Sequence, residues 1–407
     1  MEYGLLGEKL GHSFSPQIHR SLAEYDYQLF PTPPEDVEPL LRRRDFRGLN
    51  VTIPYKQTVI PLCDEVEPRA AAIGAVNTIV NRNGRLMGYN TDIDGLIYLA
   101  KRSGVDMAGK KVVILGSGGT SHTARAAAHT LGAKEIVVIS RRGENNYQNL
   151  SRHADAQVLI NTTPVGMYPN CGQAAVNLND FPRLTGVLDV VYNPLRTALI
   201  LATEERGLPC SGGLPMLVAQ AWRAAELFTG TDIPESRVET VLGELTDAQR
   251  NVILIGMPGC GKTTVGEALA RQLGKPLVDV DEEIVRAAGC SIPEIFAQEG
   301  EEGFRRRESQ AVREAGSRTG CVISTGGGVV TRPENLWPLR QNGVIFHLLR
   351  DISLLPTDGR PVSQRVAAED LWRQRDPLYA AFADEVIDNN GPLAHTLAQI
   401  ERELKRR

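Results

Sequence analysis

The segment NVILIGMPGCGKTTVGEALARQLG, residues 251–274, decides the fold of the C-terminal part of this 407-residue chain. Its middle, GMPGCGKT at residues 256–263, fits the phosphate-loop pattern G-x-x-x-x-G-K-[ST] without a mismatch. An apolar run precedes the loop and an amphipathic pattern follows it, which predicts a strand, a loop and a helix. Because successive backbone N–H groups of such a loop surround phosphate oxygens, the segment predicts a nucleoside triphosphate site.

Polar residues around this loop predict how ATP would be held. Lys262 would reach the β- and γ-phosphates, and the Thr263 hydroxyl can ligate Mg²⁺. The run PLVDVDEEI ends a strand with Asp279, which is suited to orient the Mg²⁺ shell. Asp281 is suited to accept a hydrogen bond from an acceptor hydroxyl and to assist as a base. Capping of the next helix is the alternative role for both aspartates. The residues predicted to contact the nucleotide are Gly259, Cys260, Gly261, Lys262, Thr263 and Thr264.

A second glycine-rich turn, GSGGTS at residues 116–121, is of another kind. The strand-like KKVVILG precedes it and the helical HTARAAAHTLG follows it, as a dinucleotide-binding fold requires. Gly116, Gly118 and Gly119 would let the backbone approach a pyrophosphate, while Ser121 replaces the third glycine of the fingerprint. An ordinary tight turn is the alternative for this segment taken alone.

The strand EIVVIS after that turn indicates which dinucleotide is bound. An NAD-binding fold normally ends this strand with a carboxylate for the ribose hydroxyls, whereas Ser140, Arg141 and Arg142 stand here. A guanidinium can bind a 2′-phosphate through paired hydrogen bonds, so NADP is favoured over NAD. Two solvated arginines after a strand are the alternative interpretation.

Four polar segments precede the dinucleotide turn and predict a site for a small polyhydroxylated acid. They are HSFSP at 12–16, NVTIPYK at 50–56, GAVNT at 74–78 and NTDIDG at 90–95. A lysine beside a carboxylate can relay a proton to or from a carbinol oxygen while hydride moves at carbon, which makes Lys56 and Asp92 a candidate catalytic pair. Taken alone, each could also be a surface lysine or a helix-capping aspartate.

Bulk properties exclude several classes of partner. A net charge of −4 with interspersed signs offers no basic surface for nucleic acid or membrane, and no stretch has the roughly 20 apolar residues that span a bilayer. The six cysteines are scattered without metal-ligand spacing, as in a cytoplasmic protein with reduced thiols. We therefore expect small-molecule partners and a cytoplasmic location; a homo-oligomer is compatible with the sequence.

Alternating strand-like and helical segments predict an α/β protein with parallel sheets. The strand-like runs are GLNVTI, KKVVILG, EIVVIS, AQVLINT, GVLDVVY, NVILIGM, KPLVDVD, GCVIST and GVIFHLL. The polar VLGELTDAQRN at 241–251 is interpreted as a short linker between two halves. The length fits two or three domains of roughly 100 to 200 residues each.

Residues 1–245 resemble the shikimate dehydrogenase family. Besides the segments above, INTTPVGM at 160–167, LDVVYNPLRT at 188–197 and GGLPMLVAQA at 212–221 match family motifs in order and spacing. The resemblance implies a two-lobed dehydrogenase: a substrate lobe at 1–98 completed by about 214–245, and a Rossmann-like NADP lobe at 99–213. It makes Lys56 and Asp92 the catalytic pair and places Gly213 and Met216 near the nicotinamide. The shikimate-binding residues it implies are Ser13, Ser15, Thr52, Asn77, Tyr192 and Gln220.

Residues from about 250 to 405 resemble shikimate kinase. The match includes GMPGCGKTT, DVDEEI, SIPEIF, EGEEGFRRRE, STGGG, GRP and RDPLY, and implies a P-loop parallel-sheet domain over 251–407. Arg305 and Arg375 could clamp an acceptor carboxylate through two parallel hydrogen bonds, with Glu308 orienting Arg305. Arg360 matches the lid arginine that approaches the transferring phosphate. The residues that the resemblance assigns to shikimate are Asp281, Arg305, Gly326, Gly327, Gly328 and Arg375.

The sequence thus predicts a bifunctional enzyme that reduces 3-dehydroshikimate with NADPH and then phosphorylates shikimate with ATP and Mg²⁺. Two other interpretations keep the folds. One is a quinate-type dehydrogenase fused to another small-metabolite kinase. The other is a non-catalytic nucleotide-binding sensor, which the presence of Lys56, Asp92, Lys262, Thr263 and Asp281 makes less favoured.

Overall fold

The computed structural model describes residues 2–11, 13–355 and 365–406 of the chain. The chain divides into two compact units, Met1–Leu245 and Thr246–Arg407, called here the first and second units. The first unit contains two sheets and the second unit one, each covered by helices. No helix among the described residues is long and apolar enough to cross a membrane.

The first sheet has six strands in the order β2-β1-β3-β5-β6-β4. Its elements and the helices around it are β1 Tyr3–Gly7, α1 Ser15–Leu22, β2 Tyr27–Pro31, α2 Pro34–Arg43, β3 Gly48–Val51, β4 Glu65–Val66, α3 Pro68–Ile73, β5 Thr78–Arg82, β6 Arg85–Tyr89 and α4 Asp92–Ser103. β1 runs parallel to β2 and β3, but β5 pairs antiparallel with both β3 and β6. The expectation of purely parallel sheets is wrong for this sheet.

A tight hairpin is the reason for the mixed sheet. β5 and β6 pair in register from Thr78 to Arg82, and only Asn83 and Gly84 separate the two strands. Both residues have positive φ, 54° and 85°, which an Asn-Gly pair adopts readily. The dipeptide is a strong hairpin signal in the sequence that the expectation of parallel strands did not use.

The second sheet is fully parallel, in the order β11-β10-β9-β7-β8. Its elements are β7 Lys111–Leu115, α5 Gly119–Thr130, β8 Glu135–Ile139, β9 Val158–Asn161, β10 Gly186–Asp189, α6 Ala198–Glu204 and β11 Cys210–Ser211. The GSGGTS turn leaves the carboxyl end of β7 and leads into α5, which is where a doubly wound sheet binds its ligand.

Two helices follow, α7 Leu214–Thr229 and α8 Glu235–Gln249. α7 packs against α1 and α4 beside the first sheet. The boundary between the two units falls within the segment 241–251, where α8 continues to Gln249 and β12 begins at Asn251. Val238, Val241, Leu242 and Leu245 are all buried, and their helical spacing explains why the polar segment is ordered.

The third sheet, in the second unit, is parallel in the order β13-β14-β12-β15-β16. Its elements are β12 Asn251–Ile255, α9 Lys262–Leu273, β13 Leu277–Asp279, α10 Val280–Ala288, α11 Ile292–Ser317, β14 Val322–Ser324, α12 Leu336–Arg340, β15 Gly343–Leu349, α13 Arg365–Phe382, β16 Glu385–Asp388 and α14 Leu393–Arg406. β12 is central and fully buried, so the loop after it lies at the carboxyl edge between the ends of β14 and β15.

Candidate active sites

A lysine and an aspartate meet beside the first sheet. Lys56 lies in the turns after β3, and Asp92 is the first residue of α4. The Lys56 Nζ is 2.6 Å from Asp92 Oδ2, and their side chains are 28% and 16% exposed. The N-cap of α4 is Thr91, so Asp92 does not cap the helix as the alternative interpretation held. A partly shielded ammonium and carboxylate in contact can hold and pass a proton.

Gly95 fixes where this pair lies relative to α7. A Cβ added at Gly95 would be 2.6 Å from the Met216 carbonyl oxygen and 3.1 Å from the Gln220 Cβ. The two helices therefore approach as closely as their backbones allow. This contact brings Asp92 on α4 near two predicted ligand-binding residues on α7.

The other predicted substrate-binding residues make local contacts, and Asn77 among them contacts the pair directly. The Ser13 Oγ donates to the Ser15 Oγ at 3.1 Å, and the ring of Phe14 between them packs edge-on against Tyr192 at 6.1 Å. Asn77 Nδ2 donates to Asp92 Oδ1 at 2.9 Å. Thr52 follows the end of β3, and the Gln220 amide donates to the Leu217 carbonyl. The roles of these residues toward a ligand stay predictions.

The turn after β7 is tightly packed at its first glycine and open at the next two. Gly116 has φ 106°, and an added Cβ would be 2.9 Å from both Thr162 Oγ1 and Thr163 Cγ2. Among the described residues, no atom lies within 4 Å of a Cβ added at Gly118 or Gly119, so space is open there. Ser121 is 2% exposed and its hydroxyl donates to the Gly118 carbonyl at 2.6 Å. A small polar residue thus takes the place of the third glycine without filling this open space.

The segment predicted to select NADP follows β8. Arg141 is exposed, and the Ser140 hydroxyl donates to the Arg142 carbonyl within the same turn. Gly213, predicted to lie near the nicotinamide, directly precedes α7. A Cβ added at Gly213 would be 2.1 Å from the Val190 carbonyl oxygen. Met216 is buried one turn further on. An exposed guanidinium at this strand end fits a 2′-phosphate.

Asp189 is a buried carboxylate that the sequence interpretation did not single out. It is the last residue of β10 and accepts hydrogen bonds from Asn161 Nδ2, the Val191 N–H and Thr197 Oγ1 at 2.9, 3.0 and 2.7 Å. Burial raises the pKa of Asp189 to about 6, against the lowering effect of these three donors. The residue ties the loops at the carboxyl ends of β9 and β10 together.

The P-loop of the second unit is folded around its lysine. Lys262 is buried, and its Nζ donates to the Gly256 and Met257 carbonyls at 2.9 and 3.0 Å. Gly259 and Gly261 have φ values of 83° and 100°, which bend the backbone around the lysine. Cys260 is fully buried, while Thr263 and Thr264 are exposed in the first turn of α9. The lysine occupies the loop that would receive phosphate oxygens.

Two aspartates stand beside the loop. Asp279 caps α10, since its side chain accepts from the Asp281 and Glu282 N–H groups. Its other oxygen lies 3.4 Å from the Thr263 Oγ1. Asp281 lies next to the glycine triplet, because an added Cβ at Gly326 would be 2.8 Å from Asp281 Oδ1. Thr263 and Asp279 together could hold a magnesium ion, which prefers hydroxyl, carboxylate and phosphate oxygens.

The glycine triplet 326–328 is enclosed by charged side chains. A Cβ at Gly328 would be 2.0 Å from the Arg305 Nη1, so only glycine leaves room for the guanidinium. Arg305 Nη1 donates to the fully buried Glu308 Oε2 at 2.7 Å. Burial raises the pKa of Glu308, and Arg305 acts in the opposite direction. From α13, Arg375 Nη1 donates to the Gly327 carbonyl at 3.0 Å.

The structure therefore brings Asp281, Arg305 and Arg375 to one glycine-lined site, next to the P-loop. Two further residues, which were not predicted, hold the glycine triplet and the P-loop respectively. Tyr379 donates to the same Gly327 carbonyl at 2.5 Å, and Asn389 Nδ2 donates to the Cys260 carbonyl at 2.6 Å. Tyr379 stands in the RDPLY motif, and Asn389 stands in the segment DNNGP at residues 388–392. Arg360, predicted as the lid arginine, lies outside the described residues.

Family models match three parts of the chain. The shikimate dehydrogenase substrate binding domain matches residues 5–79, and the shikimate 5′-dehydrogenase C-terminal domain matches residues 213–242. The shikimate kinase model matches residues 258–405. The dehydrogenase matches fall in the first unit and the kinase match in the second.

Individual relatives extend the match across the first unit. A shikimate dehydrogenase (NADP(+)) from Clostridium perfringens is 37% identical over 264 residues, covering 60% of this chain and 97% of that protein. A solved shikimate 5-dehydrogenase from Thermus thermophilus, in complex with NADP(H) and shikimate, is 30% identical with a TM-score of 0.55, over 60% of this chain and 99% of that one. A solved quinate dehydrogenase from Corynebacterium glutamicum, in complex with NAD, is 28% identical with a TM-score of 0.55, over 59% and 98%. The chain belongs to the shikimate dehydrogenase family, and a shikimate kinase domain follows in the same chain.

Proposed function

We propose that this chain is a bifunctional enzyme that reduces 3-dehydroshikimate to shikimate with NADPH and phosphorylates shikimate to shikimate 3-phosphate with ATP. The observation that carries the proposal is the presence, in one chain, of a Lys56–Asp92 site in a shikimate dehydrogenase fold and a P-loop domain of the shikimate kinase family. The product of the first reaction carries the hydroxyl that the second one phosphorylates.

In the first reaction NADPH supplies the hydride when it is bound. We propose that Lys56 gives a proton to the oxygen that becomes the alcohol, and that Asp92 holds the lysine in place and helps to restore that proton. The 2.6 Å contact and partial burial of the pair fit this role. Gly116, Gly118 and Gly119 would receive the pyrophosphate, Ser140 and Arg141 the 2′-phosphate, and Gly213 and Met216 the nicotinamide side.

The carboxylate and hydroxyls of 3-dehydroshikimate would be bound by uncharged side chains that donate and accept hydrogen bonds. We propose that Ser13 and Ser15, which already contact each other, bind the carboxylate end. Thr52, Asn77, Tyr192 and Gln220 would bind the hydroxyls. Burial raises the pKa of Tyr192, so its phenol stays a proton donor at neutral pH.

In the second reaction ATP with Mg²⁺ supplies the phosphoryl group when bound. The residues proposed to hold the nucleotide are Gly259, Cys260, Gly261, Lys262, Thr263 and Thr264. For the metal ion we propose Thr263 and Asp279. Lys262 would leave the Gly256 and Met257 carbonyls for phosphate oxygens, a change from one set of oxygen acceptors to another.

The acceptor site is proposed at the glycine triplet. Arg305 and Arg375 would bind the shikimate carboxylate, with backbone groups of Gly326, Gly327 and Gly328 around the ring. Asp281 would accept a hydrogen bond from the hydroxyl that is phosphorylated. Arg360 would approach the transferring phosphate, a role that rests on its motif alone.

Separate steady-state assays test the two reactions. The full chain should reduce NADP⁺ with shikimate and should form ADP with shikimate, ATP and Mg²⁺. Quinate in place of shikimate separates the alternative substrate: a preference for quinate in the first assay, or for another polyol in the second, would contradict the proposal. Absence of turnover with bound nucleotide would favour the sensor. Location in the cytoplasm stays a prediction from sequence.

A further inference from the structure

A chain of hydrogen-bonded side chains lies buried behind the proposed substrate site. It starts at Tyr27 on β2, whose hydroxyl donates to Asn50 Oδ1 at 2.7 Å. Asn50 Nδ2 on β3 donates to Thr78 Oγ1 on β5 at 3.0 Å. Thr78 Oγ1 donates to Asn77 Oδ1 at 3.1 Å, and Asn77 Nδ2 donates to Asp92 Oδ1 at 2.9 Å. The first four residues are each at most 4% exposed.

Every bond in this chain runs in one direction. Asn50 Oδ1 accepts from Tyr27 and its Nδ2 donates to Thr78, whose Oγ1 donates to Asn77 Oδ1 and also lies 3.2 Å from the Thr91 hydroxyl. The Thr91 N–H also donates to Asn77 Oδ1, at 2.7 Å, which fixes the same amide orientation from the other side. The amide of Asn77 therefore presents its N–H to the Asp92 carboxylate.

The strand register builds this arrangement. Asn50 on β3 lies directly opposite Thr78 on β5 in the antiparallel pair, and β1 separates β3 from β2. Two of the five residues, Asn50 and Asn77, are amides, and each of the four bonds has an amide at one end; amides do not pass protons on as hydroxyl chains do. This series of hydrogen-bonded side chains is therefore suited to hold groups in place and not to conduct a proton to or from Lys56.

We infer that Tyr27, Asn50 and Thr78 are positioning residues of the dehydrogenase, which hold Asn77 and through it the Asp92 carboxylate in the geometry that serves Lys56. The inference rests on the proposed function of this site. Asn50 and Thr78 lie in two of the polar segments that predict the substrate site, but none of the three is individually assigned to substrate or cofactor. Buried polar groups that are fully hydrogen-bonded specify a single arrangement, whereas loss of one partner leaves its neighbours free to reorient.

The test compares two substitutions at Thr78 in the full chain. Thr78→Val keeps the shape and removes the hydroxyl, while Thr78→Ser keeps the hydroxyl and removes a methyl group. We expect Thr78→Val to lower kcat for shikimate oxidation about tenfold with the KM for NADP⁺ unchanged, and Thr78→Ser to stay within about twofold of wild type. Tyr27→Phe, which removes the hydroxyl at the start of the series of hydrogen bonds, should lower kcat about threefold. Kinase activity of each sample measures how much active chain is present.

The outcomes are distinct. Wild-type kcat in both Thr78→Val and Tyr27→Phe would overturn the inference, and so would an equal loss in Thr78→Ser and Thr78→Val, which would indicate packing alone. If Thr78→Val lowers the melting temperature of the first unit below the assay temperature, Tyr27→Phe decides by the same criterion. A wild-type chain that does not oxidise shikimate would overturn the proposed function and this inference with it.

Discussion

The close contact between α4 and α7 makes Gly95→Ala a sensitive test of how the dehydrogenase site is built. The new Cβ would lie 2.6 Å from the Met216 carbonyl oxygen, about 0.8 Å short of the 3.4 Å at which ordinary contacts begin. The obstructing atom is backbone, so the two helices must separate by most of that distance. Asp92 is one turn before Gly95 and would move with α4. Since a misplacement of about 1 Å can cost about a hundredfold in rate, we expect kcat/KM for shikimate oxidation to fall by about 10- to 100-fold.

The assay follows NADPH formation from shikimate and NADP⁺, with kinase activity of the same sample as the reference. Gly243→Ala on α8 is the matched control, because no described atom lies within 4 Å of a Cβ added there. It should leave kcat/KM unchanged and stabilise the helix by up to about 1 kcal/mol. A Gly95→Ala enzyme with wild-type kcat/KM would refute the claim that this helix contact sets the position of Asp92.

Three further substitutions test other parts of the account. Lys262→Ala should lower the kinase rate by more than about a hundredfold while shikimate oxidation is unchanged, and equal losses in both assays would contradict separate sites. Glu308→Gln removes the carboxylate partner of the buried Arg305. The second unit should therefore lose about 3 kcal/mol of stability, and the KM for shikimate in the kinase reaction should rise. An unchanged denaturation midpoint would contradict a stabilising Arg305–Glu308 ion pair. Asp189→Asn removes a carboxyl group whose pKa is raised to about 6 in the folded protein. Because the folded state binds this proton more tightly than the unfolded state, the carboxyl group stabilises the fold below the unfolded pKa of 3.8, and this stabilisation is lost as the pH rises through 6. In denaturant titrations, the free energy of unfolding of wild type relative to Asp189→Asn should therefore fall by up to about 3 kcal/mol between about pH 4 and pH 7. A difference that does not change with pH would show that folding does not raise the pKa of Asp189.

Features encoded by neighbouring residues were predictable from the sequence. The P-loop is one strand, one turn and one helix in succession, so its residue pattern and its structure coincide. The nine apolar runs all contain strands for the same reason. Ser121 stands where the dinucleotide fingerprint has its third glycine, and its hydroxyl donates a hydrogen bond back to the Gly118 carbonyl three residues earlier.

Features that depend on strand register were not predictable in this way. Tyr27, Asn50 and Thr78 come from three strands of the first sheet, and nothing near any of them in sequence indicates the other two. Asp189 is similar only in part, because Val191 and Thr197 follow it in the same segment, whereas Asn161 comes from the end of the neighbouring strand β9. By contrast, the Asn83-Gly84 hairpin and the buried stripe of α8 are encoded by neighbouring residues, through turn chemistry in the first case and helical spacing in the second.

The central claim is that two consecutive reactions take place on one chain. The most direct measurement supplies the full chain with 3-dehydroshikimate, NADPH, ATP and Mg²⁺ and identifies the products by mass spectrometry over time. We predict shikimate 3-phosphate, with one NADP⁺ and one ADP formed for each molecule. Shikimate that accumulates without being phosphorylated, or 3-dehydroshikimate that is not consumed, would contradict it.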